Sequence, residues 1–338
     1  MTTVLPAPVS ADAPAEERRS RITSLERSDR IYRSVLRASG VAVLTVMGLV
    51  GLFLAIRGGE ALHKGGFAFL TTQAWDPDAG NFGIAGVLVG TILIALVAIF
   101  FALPLSVGTA LYISEYAPRK LQRTLISIVD LMAAVPSVVY GLWGLFFLQG
   151  HVQGLARWIS TYFGWIPFLQ VDGVDRDNAL VDVTVYGSSA FIAGMVVALM
   201  VTPIACSVMR EAFMQAPAGE REGAFALGAT KWGMIRSVVL PFGKGGIIGG
   251  MMLALGRALG ETIAVYLIIS IVFTIQPDVL HAGAGQISSL IALRFGEASQ
   301  FGLSALMAAG LALFLMTLVI NFAASSVVAR SRSGAESD

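Results

Sequence analysis

The chain has 338 residues, 56% of them hydrophobic and 13% charged, with a formal net charge of +1. A soluble domain usually carries about a quarter charged residues, so this composition excludes an ordinary soluble protein. It points to a polytopic helical membrane protein, since several apolar runs exceed the ~18 residues that a span needs. The near-neutral balance argues against nucleic acid as a partner, and the lone Cys206 excludes an internal disulfide and a thiolate metal cluster.

In chain order, residues 1–38 are rich in Ala, Pro, Ser and charge, including Arg18, Arg19, Arg21, Arg27, Arg30, Arg33 and Arg37. They read as a disordered to partly helical basic tail. The first apolar segment begins near residue 40, too far in for a cleaved signal peptide. Six spans are predicted, at Gly40–Ile56, Gly83–Glu115, Ile126–Leu148, Ser188–Val208, Gly245–Phe273 and Phe301–Val328. The second is too long for one straight crossing, so Pro104 is expected to kink it and its last part to emerge at the surface. Pro136 and Pro203 lie within the third and fourth spans, where neighbouring helices can satisfy the freed carbonyls.

The loop 149–187 carries Trp158, Phe163, Trp165 and Phe168, which read as interfacial anchors or a platform, followed by Asp172, Asp175, Arg176 and Asp177. With the N-terminus inside, 17 Lys and Arg fall on the inner side and 5 on the outer. That asymmetry predicts a multi-pass protein with both termini cytoplasmic. The domain reading is a cytoplasmic tail over 1–38, a six-span bundle over 39–328 with a cytoplasmic loop at 210–244, and a short tail at 329–338. Small residues recur at four-residue spacing in Gly86/Gly90, Gly245/Gly249, Gly246/Gly250 and Gly256/Gly260, as close helix packing requires. The Gly density of the fifth span predicts a crowded helix near the centre.

Arg257 and Glu261 lie near the middle of that fifth span. A central charge costs roughly 2.5–3.5 kcal/mol on insertion scales, so keeping two demands a reason. At i, i+4 they share one helix face and can pair. They read either as a neutralised pair that fixes packing or as the charged face of a translocation pathway. Arg suits an oxyanion, because its planar fork binds two oxygens and stays charged. Glu261 could hold Arg257 in place or weaken its grip, since transport needs a site that is easily vacated. Glu115 and Asp130 read as interfacial, with Arg119 and Lys120 close enough to Glu115 to share a network. His63, His151 and His281 read as solvated loop residues flanking spans, and no pair has metal-ligand spacing. Gly243-Lys244 lacks the rest of a phosphate-binding loop. No nucleophile, base or metal constellation appears, so the chain is expected to do no chemistry and to need no cofactor.

Within 210–244, Glu222 to Leu227 has helical composition, Gly228 interrupts it, and Thr230 can cap a second short helix through Lys231, Trp232 and Ile235 before Leu240-Pro241. Phe225, Leu227 and Trp232 offer an apolar surface for another protein's groove. The pattern Glu222-Gly223-Ala224, Gly228, then Val238, Leu240 and Pro241 resembles the "EAA" loop of ABC-importer permeases. Several other stretches resemble one family, the permease subunits of the Pst-type high-affinity phosphate ABC importer. They are Phe82-Gly83-Ile84 with Gly90-Thr91, Leu103-Pro104-Leu105 through Tyr112–Tyr116, Ala134-Val135-Pro136-Ser137-Val138-Val139-Tyr140-Gly141, and Gly256-Arg257-Ala258-Leu259-Gly260-Glu261-Thr262. The resemblance covers about residues 80–325, and its order and spacing look like the PstC-type member of the pair.

The resemblance implies an all-α, six-helix, type-I ABC importer permease fold in the plasma membrane of a prokaryote, surrounded by lipid. It implies four kinds of partner: a paralogous phosphate permease, a dimer of ATP-binding subunits, an extracytoplasmic phosphate-binding protein and inorganic phosphate itself. It places Arg257 and Glu261 at positions tied to phosphate translocation. It assigns Glu222, Gly223, Ala224, Gly228, Trp232, Leu240 and Pro241 to ATPase docking. Gly223 departs from the Ala the pattern prefers, at a helix-propensity cost of ~1 kcal/mol. The rival readings are a permease for sulfate or molybdate, an ion-gradient-driven secondary transporter, which predicts inverted repeats that are not evident, and an integral membrane enzyme.

Overall fold

The computed structural model describes residues 27–171 and 183–332. The tail arginines Arg18, Arg19 and Arg21, the group Asp172, Asp175, Arg176 and Asp177, and the end of the C-terminal tail lie outside the described residues. The chain divides into two units, residues 1–50 and 51–338. In the first, the described part is helical from Arg27 onward, and Arg33 pairs with Asp29 at 3.5 Å.

The helices in order are α1 (Arg27–Gly65), α2 (Ala68–Thr71), α3 (Ala85–Leu111), α4 (Arg119–Ala134), α5 (Ser137–Trp143) and α6 (Gln149–Phe163), then α7 (Ala190–Met214), α8 (Ala218–Ala226), α9 (Lys231–Met234), α10 (Leu240–Gly260), α11 (Ile263–Ile268), α12 (Ile287–Arg294) and α13 (Gln300–Arg332). Between α2 and α3, β1 (Trp75–Asp76) and β2 (Asn81–Phe82) form a small antiparallel hairpin. Five helices are long and apolar enough to cross a membrane, and a bent pair supplies a sixth span if it crosses as one.

The bent pair corrects the third span. Residues 119–134 and 137–163 meet at 88° instead of continuing as one helix. Pro136 causes the break, because it lacks the N–H that would bond the carbonyl of Met132. The hydroxyl of Tyr140, four residues on, donates to that carbonyl at 3.0 Å. Part of the segment expected as an outer loop is therefore the helix α6, with His151 and Trp158 on it and both exposed. His63 likewise ends α1 instead of lying in a loop. Pro104 and Pro203 lie inside unbroken helices, and the α3 helix continues through a π turn to Tyr116. Near the two prolines, the Ser106 hydroxyl donates to Thr202 O at 3.1 Å, joining α3 to α7.

The main core forms around α7, which packs against α3 and α10; Ile192, Val196, Val201, Cys206 and Met209 are buried there. A second core gathers Phe69, Phe82, Ile287 and Leu306 beneath the hairpin.

The fifth span differs most from expectation. Its helix ends at Gly260, then Glu261 turns extended (φ −67°, ψ 131°), α11 adds one short helix, and residues 269–286 run back without regular structure. Irregular backbone at this depth is stable only when buried in protein with its polar groups satisfied. Here α12 supplies the partners. The hydroxyls of Ser288 and Ser289 donate to the carbonyls of Glu261 (2.7 Å) and Thr262 (3.2 Å). Gly86 and Gly90, expected to meet another helix, instead receive this returning backbone. A Cβ at Gly90 would lie 2.1 Å from Gly285 O, and one at Gly86 2.1 Å from Phe273 O.

Candidate functional site

Arg257 lies in the last turn of α10, where free carbonyls and the negative end of the helix dipole favour a cation. Glu261 is in the break just beyond, 7% exposed, with Oε1 accepting from Ala264 N at 3.4 Å to cap α11. The expected i, i+4 helix face is therefore lost, because the helix stops before Glu261. No ion pair joins the two among the described residues. They are instead brought together as walls of one open cleft of about 750 Å³, lined also by Gly256, Gly260, Met252 and Asn321. Among the described residues, the hydrogen bond of the Arg257 side chain is to Met200 Sδ at 3.7 Å. A thioether is a weak acceptor, so most of the guanidinium's donors remain for a ligand. The arrangement can hold an oxyanion on one fixed cation while a nearby carboxylate limits how tightly it is held.

Sequence reasoning missed Asn321, Ser288 and Ser289. Asn321 had a signal, being a lone amide within the apolar run of α13; the two serines had none, because their role depends on a break that local composition does not mark.

The EAA-like segment folds largely as its residues dictate. Glu222, Gly223 and Ala224 lie on α8, with Glu222 and Gly223 exposed and Ala224 half-buried against the core. Gly223 is accommodated without breaking the helix. Gly228 follows with φ +83°, a left-handed conformation that other residues resist, and closes α8. Thr230 Oγ1 accepts from Gly233 N at 3.1 Å, the expected cap. The second helix is not separate, however. From Lys231 it runs through a π turn at Ile235–Val239 and past Leu240-Pro241 to Gly260. The π turn lies where Pro241 cannot donate to the carbonyl of Ser237. Leu227 is 92% exposed, and Phe225 and Trp232 are also exposed, an apolar group left uncovered among the described residues.

Glu115 has its side chain buried within the protein, 4% exposed and paired with Arg221 Nη1 at 3.1 Å, not with Arg119 or Lys120. Asp130 is exposed and accepts from the Ser207 hydroxyl at 3.2 Å.

Residues 102–333 match the family described as binding-protein-dependent transport system inner membrane component. The phosphate transport system permease protein PstC of Mesorhizobium japonicum is 38% identical over 94% of this chain and 97% of its own. PstC 2 of Mycobacterium tuberculosis is 34% identical over 91% and 94%, and PstC of Pasteurella multocida is 37% identical over 86% and 88%. Among solved structures, a bacterial ABC transporter involved in the import of the acidic polysaccharide alginate superposes with a TM-score of 0.53 at 18% identity, over 89% of this chain and 99% of the other. The MetNI methionine ABC transporter gives 0.50 at 18% identity, over 73% and 94%. These two structures establish a shared fold, that of ABC importer permeases. The chain belongs to the binding-protein-dependent transport system inner membrane components, among their PstC-type permease proteins.

Proposed function

We propose that this chain is one of two membrane subunits of an ATP-driven importer of inorganic phosphate. The observation that carries the reading is the cleft in which Arg257 and Glu261 face a common space without neutralising one another. A structural pair would be expected to close on itself. The names of the relatives support phosphate as the substrate. Both termini and the segment 210–244 are assigned to the cytoplasm by the 17 to 5 charge asymmetry. The permease domain is assigned to 39–328 and the flanking tails to 1–38 and 329–338.

In this mechanism a phosphate-loaded binding protein docks on the extracytoplasmic side. ATPase subunits grip the exposed Glu222, Gly223, Gly228, Trp232 and Pro241, with Ala224 and Leu240 setting the segment against the bundle. ATP-driven closure then moves the segment, and phosphate passes the Arg257 face. The chain itself contributes binding and movement, not bond chemistry.

The test is labelled-phosphate uptake at micromolar concentration in cells lacking the native gene, comparing wild type with Arg257→Gln at matched membrane levels and with sulfate competing. Uptake that resists sulfate and is lost in the variant is the expected result. Normal uptake by Arg257→Gln makes Arg257 a structural residue. No phosphate uptake by wild type moves the assignment to another oxyanion, because one Arg does not by itself distinguish tetrahedral anions.

A further inference from the structure

Two of the connections between the EAA-like segment and the bundle lead toward the site. One is covalent, through α9 into α10, which ends at Gly260 beside the site. The other is noncovalent and leads to α3. Arg221 on α8 places Nη1 between the two carboxylate oxygens of Glu115, 3.1 Å from Oε1 and 3.2 Å from Oε2. Its Nη2 donates to Phe213 O at 2.6 Å, so the guanidinium also holds the end of α7. Lys231 Nζ sits 4.7 Å from the centre of the Tyr116 ring, a second grip on the same turn. Glu115 and Tyr116 close the π turn that continues α3.

The opposite part of α3 is tied to the site. Thr91 is fully buried, donates to Val87 O at 2.6 Å and accepts from Ile287 N at 3.1 Å. Ile287 opens α12, whose next two residues, Ser288 and Ser289, hold the carbonyls of Glu261 and Thr262. Gly285, just before, is wedged against Gly90. Thr91 and Glu115 are about 36 Å apart along one continuous helix.

We infer that the Glu115–Arg221 bridge is a second transmission line. It carries movement of the EAA-like segment along α3 to the α12 staple, so that the break at Glu261–Thr262 is worked by α10 on one side and by α3 on the other. Glu115, Arg221 and Thr91 are positioning residues in this scheme and touch no substrate. Coupling requires an element whose state both ends bias. The break meets that description, because its carbonyls are held by side chains and not by a helical ladder. The inference rests on the importer reading.

The test uses the complete transporter in liposomes, with its partner permease, ATPase and binding protein. It measures phosphate imported and ATP hydrolysed in the same vesicles. The ratio of the two is independent of how much protein assembles. Variants are Glu115→Ala, Arg221→Ala, their double and Thr91→Val, which keeps the shape of Thr91 but not its acceptor oxygen. The double removes both charges, so it leaves no uncompensated buried ion and covers the case of singles that fail to assemble. The expected result is hydrolysis that persists while the ratio falls about tenfold in each variant, with the double no worse than either single. A wild-type ratio in the bridge variants or in Thr91→Val overturns the α3 route. A double that loses the product of the two single losses also overturns it, since the residues would then act separately. A wild type that imports nothing overturns the importer reading itself, and the wild-type arm tells the two failures apart.

Discussion

Two glycines on the same helix should respond in opposite directions to the same change. Gly90→Ala places a methyl group 2.1 Å from Gly285 O and 2.8 Å from Gly285 N, both backbone atoms. Neither can rotate away, and contact at ordinary van der Waals distance requires a displacement of more than ~1 Å. The returning strand has little room to yield, because Gly285 is itself pressed against Val87. Overpacking of this kind costs about 1–3 kcal/mol. The gain in helix propensity offsets only ~0.5–1 kcal/mol of it. At Gly108, also on α3, an added methyl group meets nothing within 4 Å, so Gly108→Ala keeps the propensity gain. Cys206 provides the assay. It is the chain's one thiol and 1% exposed in the core of α7, so its labelling by a maleimide on heating, read by the mass of this chain, reports unfolding directly. The thermal midpoint should fall for Gly90→Ala and hold or rise for Gly108→Ala, a spread of about 2 kcal/mol. Equal midpoints would refute the claim that α3 and the returning strand are in backbone contact.

Three further outcomes are expected. Leu227→Ser should leave the chain's thermal midpoint unchanged, because the side chain is 92% exposed, yet reduce co-purification of the ATPase. Normal recovery would show that Leu227 lies outside the docking surface. Thr230→Ala removes the cap on Gly233 N and should cost about 1 kcal/mol locally, seen as faster amide exchange over 231–234 with little change in α13. Tyr140→Phe removes the shorter of two hydrogen bonds to Met132 O, the other coming from Val135 N at 3.3 Å, and should lower the Cys206 labelling midpoint by an amount equivalent to about 0.5–1.5 kcal/mol. An unchanged midpoint would mean that Val135 N alone satisfies that carbonyl.

What the sequence made legible follows from the range of the interactions. The apolar runs, the interruption at Gly228 and the Thr230 cap depend on residues within four or five positions of one another, and spacing alone reveals them. The end of the fifth helix at Gly260 does not. Residues 245–273 are apolar on both sides of the break, and what stabilises the extended Glu261 is a pair of hydroxyls on α12, 27 positions away. The partner of Glu115 was missed for the same reason. Proximity in sequence suggested Arg119 and Lys120, whereas the bridge closes across 106 positions to Arg221. Arg257 and Glu261 were singled out by the cost of intramembrane charge, and both line one cleft, but their relation to each other needed the backbone path.

The unbroken run from Lys231 to Gly260 is 30 residues, a shaft of about 45 Å. Trp232 and Arg257 are therefore mounted on one rod, ~38 Å apart along its axis. The rod has one irregular joint, the π turn at Ile235–Val239. Conversion of that joint to α geometry shifts the helix beyond it by one residue, an advance of ~1.5 Å and a rotation of ~100°. A rotation of that size turns Arg257 toward a different side of the helix without tilting its axis, so this joint makes a screw motion, and not only a tilt, geometrically available to the shaft.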